Sequence, residues 1–109
     1  MSSIDQARAL ALALPGALER DHHGRPSFRV AGGRIFATLW DEEHMNVMVE
    51  EDAIRTYLER DGGRAYAEVW WGKRLAALRV TLALVEEEEL RELLGDAWES
   101  KGGRRVDGG

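Results

Sequence analysis

The feature that most constrains this fold is a change of hydrophobic period. Ala7, Leu10, Ala11 and Leu14 recur at helical spacing until Pro15-Gly16 interrupts them. From Ala17 to Trp40 the period falls to about two, broken at Gly24-Arg25-Pro26 and Gly32-Gly33. A pattern of period two does not suit a helix, nor a 3.6-residue pattern a strand, so the reading is one helix followed by three antiparallel strands. Glycine in the interruptions accepts positive φ and proline fixes its own, which marks them as chain reversals.

The remaining elements follow from the same two periods. Ser3 with Gln6 three residues later forms a capping box that starts the first helix. After the polar turn Asp41-Glu42-Glu43, the run His44 to Val49 alternates strictly and predicts a fourth strand. Glu50, Glu51 and Asp52 suit the positive end of a helix dipole. Ala53, Ile54, Tyr57 and Leu58 supply the stripe of a second helix over about Glu51 to Arg60, ended by Gly62-Gly63. A strand pair is expected at Ala65–Trp70 and Leu75–Leu82 around Gly72-Lys73-Arg74. Four glutamates then open a third helix striped by Leu90, Leu93, Leu94, Ala97 and Trp98.

The expected class is therefore α+β, a two-layer fold of order α-β-β-β-β-α-β-β-α with helices on one face of an antiparallel sheet. One domain over residues 1–100 is expected, followed by a flexible glycine-rich tail over 101–109. Phe28, Val30, Met45, Val47, Leu78 and Val80 should face the helices; Arg29, Asn46, Met48, Arg79 and Thr81 should line the open face. Strict alternation in Ile35–Trp40 puts Ile35, Ala37 and Leu39 on one side and Phe36 and Trp40 on the other, which predicts a partly greasy open face.

Composition narrows the chemistry. The chain of 109 residues has no cysteine, which removes disulfides, thiolate nucleophiles and cysteine metal sites together. The opening Met1-Ser2-Ser3-Ile4-Asp5 lacks the basic start and apolar run of a signal peptide, and no apolar stretch approaches the ~20 residues of a membrane span. A cytoplasmic location without membrane contact is the expectation. The net charge of −5 argues against a polyanion-binding surface over the whole molecule. Local charge differs: residues 70–82 carry Lys73, Arg74 and Arg79 with no acid, while Glu50–Asp52 and Glu86–Glu89 concentrate negative charge elsewhere.

Several stretches together resemble one family. These are Leu14-Pro15-Gly16, the run Gly24 to Val30 (Gly-x-Pro-x-Phe-Arg-Val), the strand Arg34 to Leu39, Trp71-Gly72, and the closing Glu88 to Trp98. In that order they resemble the MmcQ/YjbR family over nearly the whole chain. The resemblance implies a small α+β fold like that of frataxin-type or secretion-chaperone-type domains. Members carry a DNA-binding label that rests on a double-wing arrangement of hairpins, which is a structural analogy and not a defined activity. His23 stands where relatives often have a bulky aromatic, and Leu75-Ala76 where many have glycine and tryptophan.

Three functional readings remain open at this level. In the first, Arg25, Arg29 and Arg34 around the first hairpins and Lys73, Arg74 and Arg79 from the second pair contact DNA phosphates, for which arginine offers planar donors. In the second, the open face around Arg29, Phe36, Trp40, Met48 and Arg79 docks a protein partner or a second copy of the chain. The third is catalysis or metal binding by Asp21, His22, His23 and the distant His44. Adjacent strand histidines face opposite sides, and there is no His-Glu-x-x-His, phosphate loop or activated serine. The expectation is a non-enzymatic domain with no cofactor, no metal site and no small-molecule ligand.

Overall fold

Ser3 opens the chain's first helix as the sequence predicts. Its hydroxyl accepts from the Gln6 N–H at 3.2 Å, and the Gln6 side chain accepts from the Ser3 N–H at 3.0 Å. The computed structural model describes residues 1–60 and 62–103. The elements are α1 (Ile4–Leu12), β1 (Ala17–His22), β2 (Arg25–Val30), β3 (Ile35–Leu39), β4 (His44–Val47), α2 (Glu51–Arg60), β5 (Tyr66–Trp71), β6 (Arg74–Thr81) and α3 (Glu87–Ser100). A single 3-10 turn at Leu82–Leu84 joins β6 to α3. This is the expected order and class.

The six strands form one antiparallel sheet in the order β1-β2-β3-β4-β6-β5. Alternation delivers the core: Phe28, Val30, Met45, Val47, Leu78 and Val80 meet Ala7 and Ala11 of α1, Ile54 and Tyr57 of α2, and the α3 stripe ending in Trp98. Burial of these side chains out of water is the main term holding the layers together. The turn after α1 is held to α3 through the Trp98 indole, which donates to the Pro15 carbonyl at 2.9 Å. Between α2 and α3, Tyr57 donates to Asp96 at 3.3 Å and Tyr66 of β5 donates to Glu89. Burial, followed by the charges of Asp96 and Glu92, pushes the Tyr57 phenol well above its ordinary pKa, so it remains a donor.

Two details depart from the simple alternation. The first hairpin turns at His23-Gly24 rather than at Gly24-Arg25-Pro26, because both residues take positive φ (54° and 83°) and pair His22 with Arg25. A two-residue turn of that hand matches the twist of the strands it joins. Arg25 therefore belongs to β2. The second departure is in β3, where Phe28 pairs with Ala37 but Arg29 pairs with Ile35. The extra residue is Phe36. This bulge reverses the two ends of the strand, placing Ile35 on the open side with Arg29 and sending Phe36 into the core, where it is fully buried. The expectation of Phe36 on the open face is corrected accordingly, whereas Thr38 and Trp40 do line that face.

Of the span assigned to a tail, Lys101 to Gly103 continue from α3 through hydrogen bonds such as Gly103 N–H to the Trp98 carbonyl at 2.8 Å. The remainder of that expected tail, residues 104–109, lies outside the described residues. Among the described residues no helix is long and apolar enough to cross a membrane.

Candidate functional site

With all three helices on one face, the opposite face is left as a cleft of about 790 Å³. β-Strand alternation brings Arg29, Thr38, Asn46 and Arg79 to its floor, and the hairpin ends supply the rim. The floor runs diagonally. Arg25 begins β2 and Trp40 follows β3 at one end of the strands; Arg34 precedes β3, Arg74 begins β6 and Trp71 ends β5 at the other.

At the first end Trp40 organises two arginines. The Arg25 guanidinium lies 4.0 Å from the Trp40 ring centroid and the Arg79 guanidinium 4.6 Å from it. Each is fixed further through Nε, Arg25 donating to the Trp40 carbonyl at 2.9 Å and Arg79 to the Asn46 side-chain oxygen at 3.0 Å. The ring quadrupole and these hydrogen bonds hold the two cations close together without a carboxylate between them. Arg29 lies farther along β2, paired with Ile35 and so nearer the other end, its Nε shielded from solvent and without a hydrogen-bond partner among the described residues.

At the second end Arg34, Arg74 and Lys101 converge. Burial is the main influence holding the Lys101 ammonium below its ordinary pKa. The positive charges of Arg34 and Arg74 add to it, and Glu50 opposes them. Lys101 comes within reach because Gly33 has no side chain: a Cβ there would lie 2.9 Å from the Lys101 carbonyl oxygen. Trp70 and Trp71, exposed by 48% and 54%, border this end, and Trp71 is the direct strand partner of Arg74.

Charge is the distinctive property of the cleft. Arg25, Arg29, Arg34, Arg74, Arg79 and Lys101 line it, with His22 and His23 at the rim, and no Asp or Glu is among the lining residues. The ion pairs among the described residues involve Arg8, Arg55, Arg60, Arg91, His44 and the N-terminus, and none of the six cleft cations. An acidic chain thus gathers unpaired positive charge on one face.

Five of the six residues expected from the sequence as phosphate contacts therefore share one surface. Lys73 is exposed in the β5–β6 turn and does not line it. Lys101 falls in the span that the sequence assigns to a tail, so its place in the cleft is not legible there; alternation predicts one of the strand neighbours Trp70 and Trp71 in the core and the other exposed, whereas both are exposed, next to an irregularity between Val69 and Trp70. The expectation that His22 and His23 face opposite sides is corrected: His23 lies in the turn at positive φ, so the two rings contact each other at a separation of 4.4 Å and both reach the cleft, while His44 pairs with Asp41 within the β3–β4 turn. Among the described residues no group of three or more His, Cys, Asp or Glu is arranged to hold a metal ion.

Comparison with known proteins places this geometry in a lineage. Residues 12–100 match the family model described as YjbR. The chain belongs to the YjbR family. The match includes every cleft residue except Lys101, which lies just beyond it. No curated protein and no solved structure gave a significant match. In this YjbR-family chain the open face sets six cations and two exposed tryptophans around one cleft.

Proposed function

We propose that the open-face cleft binds nucleic acid and that the protein acts as a small non-enzymatic binding domain. The observation that carries this reading is the segregation of charge. A chain of net charge −5 lines one cleft with six cations, none ion-paired to a carboxylate among the described residues. Stacking on Trp40 keeps Arg25 and Arg79 in place before a ligand arrives, which lowers the entropy lost on binding. Arginine forks match phosphate oxygens in pairs, and indoles beside them offer surfaces to bases.

The same pattern weighs against self-association through this face, since a second copy would set six cations against six. It also weighs against an apolar partner, because Ile35 and Met48 are flanked by guanidinium groups.

The test is binding of fluorescein-labelled DNA by anisotropy across a salt series. Log affinity should fall linearly with log salt, by about 0.7–0.9 for each phosphate contacted. Arg34→Gln and Arg74→Gln should each weaken binding and flatten that slope by about one contact. DNA and RNA that show no affinity at low salt would refute the reading.

A further inference from the structure

We propose that the cleft is built for a single strand of nucleic acid, with a base stacked on Trp71 and the backbone running diagonally across the sheet between the two cationic ends. This rests on the nucleic-acid reading above and specifies the form of the ligand.

The division of labour among the tryptophans points to it. Trp40 has two guanidinium groups over its ring, so its role is to hold Arg25 and Arg79. Trp71 carries no such partner among the described residues, is more than half exposed, and borders the cleft beside Arg74. Trp70, its neighbour, is tied by its N–H to Glu68 at 3.4 Å. An exposed indole in a cleft of unpaired cations has both properties that single-strand binding requires, a stacking surface and an electrostatic track.

Geometry sets the length. From β3 to β5 the cleft crosses three strand spacings, and from Trp40 back to Ile35 it runs five residues, a diagonal of about 20 Å. At no less than about 3.4 Å per nucleotide, the per-strand rise of a duplex, this accommodates at most about six nucleotides. A duplex keeps its bases paired and stacked inside, so Trp71 would have no face to meet. It would also present two backbones to a track that is recessed into one sheet face. Single-stranded DNA and RNA share the chemistry in question, and the experiment separates them.

The full chain is titrated into labelled twelve-nucleotide DNA of mixed sequence, the RNA of the same sequence, and the DNA duplex, at low salt, with intrinsic tryptophan fluorescence followed in parallel. A single strand should bind at least about tenfold more tightly than the duplex and quench the tryptophan emission; whichever strand binds more tightly identifies the preferred sugar. Trp71→Ala should weaken single-strand binding by about tenfold, the contribution of one stacked base, and leave duplex affinity unchanged. Trp71→Phe, which retains a ring, should recover most of the loss, and matching far-UV circular dichroism and melting curves verify that both variants fold. Equal affinity for duplex and single strand, or a Trp71→Ala variant that binds the strand as wild type does, overturns the single-strand inference while the nucleic-acid reading stands. Absence of binding to all three overturns both. Displacement of the strand by polyglutamate at equal charge concentration also overturns the inference, since it identifies a seat for acidic peptide.

Discussion

Arg25 contacts Trp40 twice, its guanidinium 4.0 Å from the ring centroid and its Nε donating to the Trp40 carbonyl at 2.9 Å. One residue thereby closes the gap between the start of β2 and the end of β3, and fixes a cation at the mouth of the cleft. A lysine at this position would keep the charge but lose the planar stack and the Nε donor. Arg25→Lys should lower stability by about 1 kcal/mol in urea denaturation, as expected for one cation–π contact with one hydrogen bond. It should also weaken nucleic-acid binding more than a charge-neutral account predicts. Unchanged stability and affinity would show the contact to be incidental.

Gly33 controls the other end. A methyl group there would lie 2.9 Å from the Lys101 carbonyl oxygen and 3.1 Å from Val30 Cβ, and the first of these is backbone that cannot rotate away. Gly33→Ala should therefore displace the segment after α3, costing about 1–3 kcal/mol as overpacked sites do. Because the displaced segment carries Lys101, affinity for anions should fall together with stability. Gly32→Ala serves as the comparison: its Cβ would meet no atom within 4 Å, so its cost arises only from a φ of +73°.

These two sites also show where sequence reading stops. Period-two alternation correctly assigned Arg29 and Arg79 to the face away from the helices, because side chains of regular strands obey it. It failed between Ile35 and Ala37, where a bulge inserts one residue; three consecutive apolar side chains in β3 fit either register, so hydrophobicity alone could not locate the slip. Arg34 and Arg74 sit at strand ends, where only the strand order reveals that they share an end of the sheet. Lys101 is remote from both in sequence, and its approach depends on a glycine that local pattern explains equally well as a turn.

The turn between β3 and β4 makes a pH prediction. Asp41 accepts from the Glu43 and His44 N–H groups, each at 2.8 Å, and from His44 Nδ1 at 2.8 Å. The Glu43 N–H and then the His44 side chain hold its carboxyl below the ordinary value of 3.8, against a small opposing effect of burial. A carboxyl depressed in the folded state stabilises that state at pH above its ordinary value, and the contribution disappears as pH falls through 3.8 toward the lower folded value. Asp41→Asn should therefore be less stable than wild type at pH 7, with the difference shrinking below about pH 4. Melting curves at pH 7, 4 and 2.5 measure this, and a difference independent of pH would refute it.

The junction of α1, α3 and the chain after α3 converges on Trp98. Its indole N–H donates to the Pro15 carbonyl at 2.9 Å, and a Cβ added at Gly103 would overlap its ring. Trp98→Phe removes the donor and leaves space where the larger ring was, so a loss of about 1–3 kcal/mol is expected. Gly103→Ala in the wild type forces the rigid indole or the chain to move, because that ring is packed in the core on its other side. A phenylalanine ring keeps atoms at Cγ and Cδ2, where the added methyl would fall, but the space left by the lost part of the indole lets that ring move aside. The two substitutions should therefore couple, Gly103→Ala costing less beside phenylalanine than beside tryptophan. Urea denaturation of the four members of this cycle measures the coupling. Strict additivity would show that Gly103 does not owe its close approach to the Trp98 ring.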